Sequence, residues 1–355
     1  MITAMRHVLI CRTDNLGDVV LTLPLAGYLR QLFPDLKIGF LCRRYAAALV
    51  AQCNAIDYVV ERETLEDVTD ADSSAVATAA AWMRDARIDT IIFAKPDRRL
   101  AMAAKKAGIA NRVGTSHRWF HWLTCNRLAH FSRVKSTLHE AQLNFALLRP
   151  LGIDAIPALA AIAPLYGMKP AAALLPLLQL PPVASAASFD PAEFNLVLHP
   201  KSNGNGREWP VDHFTELAGL LAATPRIRLW ITGSQAEGEW LAGHAPRLFA
   251  QPNVRNLCGL LTLAQLSAAI SAADGLIASG TGPVHVAAAL GQRTLGLYPP
   301  LQPVHPARWG PLGARAQTLC RAEQCTACSD AAACACMRSI TPHDVAQIVL
   351  GWYGA

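Results

Sequence analysis

Three short segments of this 355-residue chain set glycines beside groups that can move protons or hold anions. The first is Arg12-Thr-Asp14-Asn-Leu-Gly17-Asp18-Val-Val. A carboxylate just after a glycine, where an apolar-periodic stretch begins, has two ordinary uses. It caps a helix N-terminus, worth about 1 kcal/mol, or it faces a cleft as a general base. The second segment is His199-Pro-Lys201-Ser202-Asn-Gly204-Asn-Gly206-Arg207-Glu-Trp209-Pro. Lys201 and Arg207 beside flexible glycines suit a diphosphate, and a solvated loop would read the same way. The third is Ser279-Gly280-Thr281-Gly282-Pro283-Val284-His285. Its glycines let a backbone approach a ligand closely, and Pro283 suits a first helical turn. The N–H groups and positive end of that helix favour a phosphate. A tight turn with a packed His285 is the plainer alternative. The segment is neither a Walker A loop nor a GxGxxG fingerprint.

Each segment follows a short apolar run, and the runs define the elements that must position the chemistry. Strands are expected at His7–Cys11, Lys37–Leu41, Tyr58–Val60 and Thr90–Phe93. Helices are expected after the first glycine loop as far as Phe33, then over Tyr45–Gln52, Ser74–Arg87 and Asp97–Gly108. The pattern restarts with strands at Asn195–His199, Arg226–Thr232, Gly275–Ala278 and Arg293–Tyr298, and helices over Val211–Ala223, Leu263–Ala273 and Gly282–Leu290. Alternating strands and helices imply parallel sheets covered on both faces. The expected organisation is a Rossmann-like domain over 1–165, an Ala- and Pro-rich linker over 166–192, a second Rossmann-like domain over 193–340, and a terminal helix over 341–355. In such sheets ligands gather at the carboxyl ends of the strands.

Composition narrows the class. Hydrophobic residues make up 52% of the chain, too many for a disordered one. The longest oily stretch, Ala171–Val183, is broken by Pro176, Pro181 and Pro182 and is too short to span a bilayer. Met1–Arg12 reads as a first strand rather than a signal peptide, so a cytoplasmic protein with reduced cysteines is expected. The formal charge is +6, but residues 95–135 alone carry ten Lys/Arg against one acid, Asp97. A local excess of this kind faces an anionic partner; no nucleic-acid recognition motif accompanies it. The cysteines Cys325, Cys328, Cys334 and Cys336 lie within twelve residues. Such density can hold zinc or an iron–sulfur cluster. The spacing is not a pair of CxxC knuckles, and thiols that pack a loop without metal are expected.

Taken in order, Gly17-Asp18-Val-Val-Leu-Thr-Leu-Pro24, Arg207-Glu-Trp-Pro210 and Thr281-Gly-Pro-Val-His-Val-Ala-Ala-Ala-Leu-Gly291 resemble the signatures of family 9 glycosyltransferases, the bacterial heptosyltransferases of lipopolysaccharide core assembly. The resemblance implies a GT-B fold, two Rossmann-like domains whose parallel sheets face each other across a cleft. It implies an inverting enzyme that needs neither metal nor cofactor. Asp18 would be the general base. Lys201, Ser202, Arg207, Thr281, Gly282, Pro283 and His285 would hold the donor, ADP-heptose, with Gln235 and Glu237 at a loop where some members carry an acidic donor contact. Many members have Asp where this chain has Gly280. Arg98, Arg99, Arg118 and His121 would meet an anionic acceptor of the Kdo-lipid A type, with peripheral contact at the inner face of the cytoplasmic membrane. A different nucleotide-sugar or acceptor is the alternative within the fold. A non-catalytic GT-B-like binding protein is the alternative outside enzymology, and the presence of Asp18 speaks against it.

Overall fold

The computed structural model describes residues 3–65, 72–169, 171–178, 189–202, 204, 206–321, 325 and 334–354. The chain forms two compact units, Met1–Met168 and Lys169–Ala355. The division falls inside the expected 166–192 linker.

In the first unit, β1 (His7–Cys11), β2 (Lys37–Cys42), β3 (Tyr58–Glu61), β4 (Thr90–Phe93), β5 (Asn111–Thr115) and β6 (Arg127–Ala129) make one sheet in the order β3-β2-β1-β4-β5-β6. Every pair is parallel. In the second unit, β7 (Phe194–His199), β8 (Ile227–Ile231), β9 (Val254–Asn256), β10 (Gly275–Ser279), β11 (Arg293–Leu297) and β12 (Ala316–Leu319) repeat the plan as β12-β11-β10-β7-β8-β9. These pairs are parallel too. In each sheet the first strand lies against the fourth, where the winding reverses. Loops leaving the carboxyl ends there diverge and open a crevice. Those loops are the ones after β1 and β4, and after β7 and β10.

The central strands are apolar along their whole length because both faces are covered. All five residues of β1 are buried. β5, β6, β9 and β12 were not anticipated from the sequence. They mix polar and apolar residues because three are edge strands and β5 adjoins one. The first expected helix is two, Leu16–Val20 and Leu23–Leu32. Pro24 has no N–H to return to Val20, so the ladder stops there and restarts.

The segment after Met168 is not free chain: Ala171–Leu174 and Leu175–Leu177 pack on helix Leu263–Ala272 of the second unit. The terminal helix Pro342–Tyr353 packs on helix Val211–Ala222 of that unit. Thr341 and Asp344 close a capping box at its start.

Candidate active site

At the end of β1 the first polar side chain is Arg12, only 3% exposed. Its Nε lies 2.7 Å from Asp14 Oδ1, its Nη2 bonds Asp18 Oδ1, and the same nitrogen is 3.6 Å from Glu140 Oε1. Nη1 also donates to the Ala94 carbonyl, at 3.2 Å, just past β4. Arg133 supports the arrangement from the other side, pairing with Glu140 and donating to Ala94 O at 3.3 Å. Asn144 accepts from both guanidiniums, at 3.4 and 3.3 Å. Its amide donates to Leu21 O and Thr22 Oγ1, tying the cluster to the helix break after Val20. A planar fork that cannot lose its proton is the cation suited to such a buried crossing.

Asp18 lies in the first turn of Leu16–Val20, where Asn15 occupies the cap position. Its carboxylate turns to Arg12, and its side chain is 15% exposed. Burial raises its pKa, against the opposing pull of Arg12; Asp14 adds to the rise. A carboxylate held by one guanidinium, short of water and still open on one side, can accept a proton from a bound hydroxyl. Asp14 is shared with Lys95, at 3.5 Å, and its backbone carbonyl accepts from Tyr45 Oη at 2.6 Å.

The expected acceptor residues divide. Arg98, Arg99 and Arg118 are exposed. His121 is not: it is fully buried, its Nδ1 is 3.0 Å from Thr115 O, and its ring stacks on Phe93. Burial also lowers its pKa, so it is a neutral core histidine. The expectation that it touches an acceptor is corrected by its position. The helix Trp119–Thr124 turns its histidine inward, which no local pattern announces.

In the second unit the corresponding loops follow β7 and β10. Glu208 organises the first of them. Its carboxylate takes Lys201 Nζ at 2.6 Å, Ser202 N at 2.8 Å and Ser202 Oγ at 3.1 Å. Lys201 Nζ also sits 3.8 Å from the centre of the Trp240 ring. Trp209 anchors the end of the loop in the core, and its backbone N–H donates to Ser279 Oγ of β10 at 2.8 Å. The two loops then run backbone to backbone. A Cβ on Gly206 would lie 2.7 Å from Gly280 O. Arg207, next in the chain, is half-buried and has no ion-pair partner among the described residues.

Gly280 is itself covered: a Cβ there would lie 2.7 Å from Cε1 of Tyr298. The ring of Tyr298 thus occupies the space an Asp at 280 would need. Thr281 caps helix Gly282–Ala289 by position, without a side-chain bond to the first turn. Thr281 and Gly282 are half-buried, Pro283 is buried and His285 is buried within the helix. Of the two readings for His285, its burial matches the packed one.

After β8, Ser234 caps helix Gln235–His244, and Glu237 Oε2 accepts from Ser234 N at 2.7 Å. Glu237 is thereby engaged in the helix start, while exposed Gln235 bonds Glu239 at 3.0 Å. His199, at the end of β7, lies 2.9 Å from Thr232 Oγ1. Burial lowers its pKa to about 4 in spite of Glu237 and Glu208. Glu140, Arg133, Asn144 and Glu208 were not singled out from the sequence. The only local signal was a charged residue interrupting an apolar run, as in Leu138-His-Glu140-Ala.

Cys334 is buried in the core of the second unit, Cys336 packs against that core, and Cys325 is half-buried. Cys328 lies outside the described residues. Among the described residues, no group of three or more His, Cys, Asp or Glu could hold a metal ion.

Residues 169–335 match the family model for glycosyltransferase family 9 (heptosyltransferase). The second unit is a family 9 glycosyltransferase domain. Solved structures extend the likeness in fold over nearly the whole chain. Escherichia coli ADP-heptose LPS heptosyltransferase II matches with a TM-score of 0.74 at 18% identity, covering 98% of each chain. The E. coli heptosyltransferase WaaC with ADP matches with a TM-score of 0.67 at 20% identity, over 98% of this chain and 99% of its own. In sequence, a Haemophilus influenzae protein named "Putative glycosyltransferase" is 25% identical over 309 residues, 87% of this chain and 86% of its own length. The chain is therefore a glycosyltransferase built from two Rossmann-like units of the GT-B class, with its described polar clusters at the two places where the sheets reverse.

Proposed function

We propose that this enzyme moves heptose from ADP-heptose to an anionic inner-core acceptor of lipopolysaccharide, with inversion and without a metal. The observation that carries the reading is Asp18, a half-buried carboxylate bonded to Arg12 at the carboxyl edge of the first sheet. The acceptor binds at the sheet edge of the first unit and the donor at that of the second. Asp18 accepts the proton of the acceptor hydroxyl as its oxygen bonds to the anomeric carbon. The bond from that carbon to the diphosphate breaks on the opposite face, and the electron pair leaves with the nucleoside diphosphate. Arg207, Lys201 and the N–H groups at the start of helix Gly282–Ala289 meet the charge that develops there. Gln235 lies at the rim of the same donor site. Arg98, Arg99 and Arg118 draw in the acceptor's acidic groups. Similar solved structures are those of an ADP-heptose LPS heptosyltransferase and of a heptosyltransferase with ADP, which favours this donor. The enzyme works at the cytoplasmic face of the inner membrane, where such an acceptor is assembled.

A transfer assay over a panel of nucleotide-sugars, with Kdo-containing acceptors and a chelator arm, tests this. The expected result is chelator-insensitive transfer from ADP-heptose with inverted anomeric configuration. Retention of configuration, or preference for another nucleotide-sugar, overturns it.

A further inference from the structure

Helix Trp119–Thr124 keeps three of its four large apolar side chains outside. Its inner face is His121 and Thr124, both buried, with Phe120 half-buried against the core of the first unit. Its outer face is Trp119, Trp122 and Leu123, which are 64%, 59% and 62% exposed. These three stand at helical spacings of three and four and form one stripe. A surface helix ordinarily buries that stripe. Here a polar frame holds it outward. Lys105 Nζ donates to Leu123 O at 2.8 Å, Arg112 Nε to Thr124 O at 2.7 Å, and Trp122 Nε1 to Ser116 O at 2.8 Å. His121 Nδ1, 3.0 Å from Thr115 O, fixes the inner side.

The rim of the stripe is basic. The Arg98 guanidinium lies 5.5 Å from the centre of the Trp119 ring. Arg118 and Lys105 are exposed beside it. The one acid of residues 95–135, Asp97, is paired with Arg62 at 3.1 Å. Arg98 and Arg118 precede or begin helices that follow β4 and β5, so they lie at the same sheet edge as Asp18.

Exposed tryptophans in a ring of cations match one kind of surface closely. Indoles sit at the headgroup level of a bilayer, and anionic lipids attract Lys and Arg just outside it. We propose that this face docks on an anionic phospholipid bilayer, with Trp119, Trp122 and Leu123 entering the headgroup boundary and the basic rim on lipid phosphates. The purpose of the docking, bringing Asp18's edge to a membrane-borne acceptor, rests on the function proposed above. The docking itself rests on the face.

Sedimentation of the full chain with sucrose-loaded vesicles tests it. The chain should pellet with phosphatidylglycerol/phosphatidylcholine vesicles and far less with phosphatidylcholine alone. Trp119→Ser/Trp122→Ser/Leu123→Ser should lower partitioning at least roughly tenfold, since binding scales with apolar area as well as charge. Leu123→Glu alone should act in the same direction, and thermal melts confirm folding of both. Variants that pellet like the wild type overturn the proposal. A triple variant that keeps vesicle binding but raises KM for an acceptor stripped of its acyl chains also overturns it, and makes the face a sugar-binding surface. Vesicle binding that needs the stripe, with no transfer to any glycolipid acceptor, overturns the acceptor reading and leaves the docking standing.

Discussion

Arg12 reaches back from the end of β1 to bond the Asp18 carboxylate, while its Nε stays 2.7 Å from Asp14. One buried cation thus serves two carboxylates with different prospects. Asp14 is also met by Lys95, at 3.5 Å, while the Asp18 carboxylate is paired with Arg12. Asp18→Asn keeps the shape and a hydrogen bond to Arg12 but cannot accept a proton. Turnover should fall by about 10² to 10⁴, with the melting temperature and nucleoside diphosphate affinity nearly unchanged. Steady-state kinetics beside calorimetry measures both; a variant with most of its activity makes Asp18 a structural residue only.

The pH profile should carry the same signature. Burial raises the Asp18 pKa above the ordinary 3.8. The base works only when deprotonated, so the acid limb of kcat/KM should lie above that value. Arg12→Lys replaces the fork by a single ammonium and weakens its support of the ionised form, so the limb should move further up in pH. Arg12→Met should also destabilise the fold, by about 3–5 kcal/mol, because Asp14, Asp18 and Glu140 lose their shared cation. A limb that stays in place in Arg12→Lys would detach Arg12 from the base.

Arg207 follows Gly206, whose backbone meets that of Gly280, and it has no ion-pair partner among the described residues. Charge-assisted bonds to a diphosphate are worth about 1.5–3 kcal/mol. Arg207→Ala should therefore weaken ADP binding by roughly ten- to a hundredfold. Gly206→Ala should weaken it as well, because the added methyl meets Gly280 O at 2.7 Å and pushes the loops apart. Titration calorimetry with ADP reads both, and unchanged affinity removes them from the donor site.

His199 gives the stability curve a slope. Its pKa is lowered to about 4 in the fold, from 6.5 in an open chain. The unfolded chain therefore binds the extra proton between those values. The contribution is fully present above pH 6.5 and is lost as pH falls towards 4. Buried His7 and His121, also lowered, act in the same direction. His199→Asn should flatten the decline of the unfolding free energy across that window by one proton's worth. Denaturant melts at pH 7 and pH 5 give the comparison; parallel losses in both proteins would contradict it.

The basic segment is tested by charge reversal, with a choice of positions that the structure dictates. Arg112 and Arg133 hold backbone and Glu140, and Lys105 holds Leu123 O. Arg98→Glu/Arg99→Glu/Lys106→Glu leaves those bonds in place. The variant should raise KM for an anionic acyl-free acceptor and flatten its salt dependence, since the Debye length near 0.15 M is about 8 Å. ADP affinity should not change. An unaltered KM at low salt would reduce these charges to a solvated helix face.

Much of this protein was settled locally. Five buried residues in a row at His7–Cys11 and the glycine loop after them mark a parallel strand and its turn without reference to anything distant. The same holds for β7 and β10, whose apolar runs and following glycines announced the loops that carry Arg207 and Thr281. Edge strands such as Val254–Asn256 were illegible because half of an edge is wet and its residues carry no apolar period. What tertiary structure alone decided was the pairing of remote charges and the inward or outward sense of short helices. Arg12 meets Glu140 only because β4 brings Ala94 beside β1 and helix Glu140–Phe145 packs on helix Leu23–Leu32. His121 is buried while Trp119 and Trp122 face out, against every local preference. Six residues held by Lys105, Arg112 and Thr115 take their orientation from those neighbours. Periodicity reports a face where hydrophobic burial sets it; here Phe120 alone of the large apolar side chains packs on the core, and hydrogen bonds with residues outside the helix help to set its orientation.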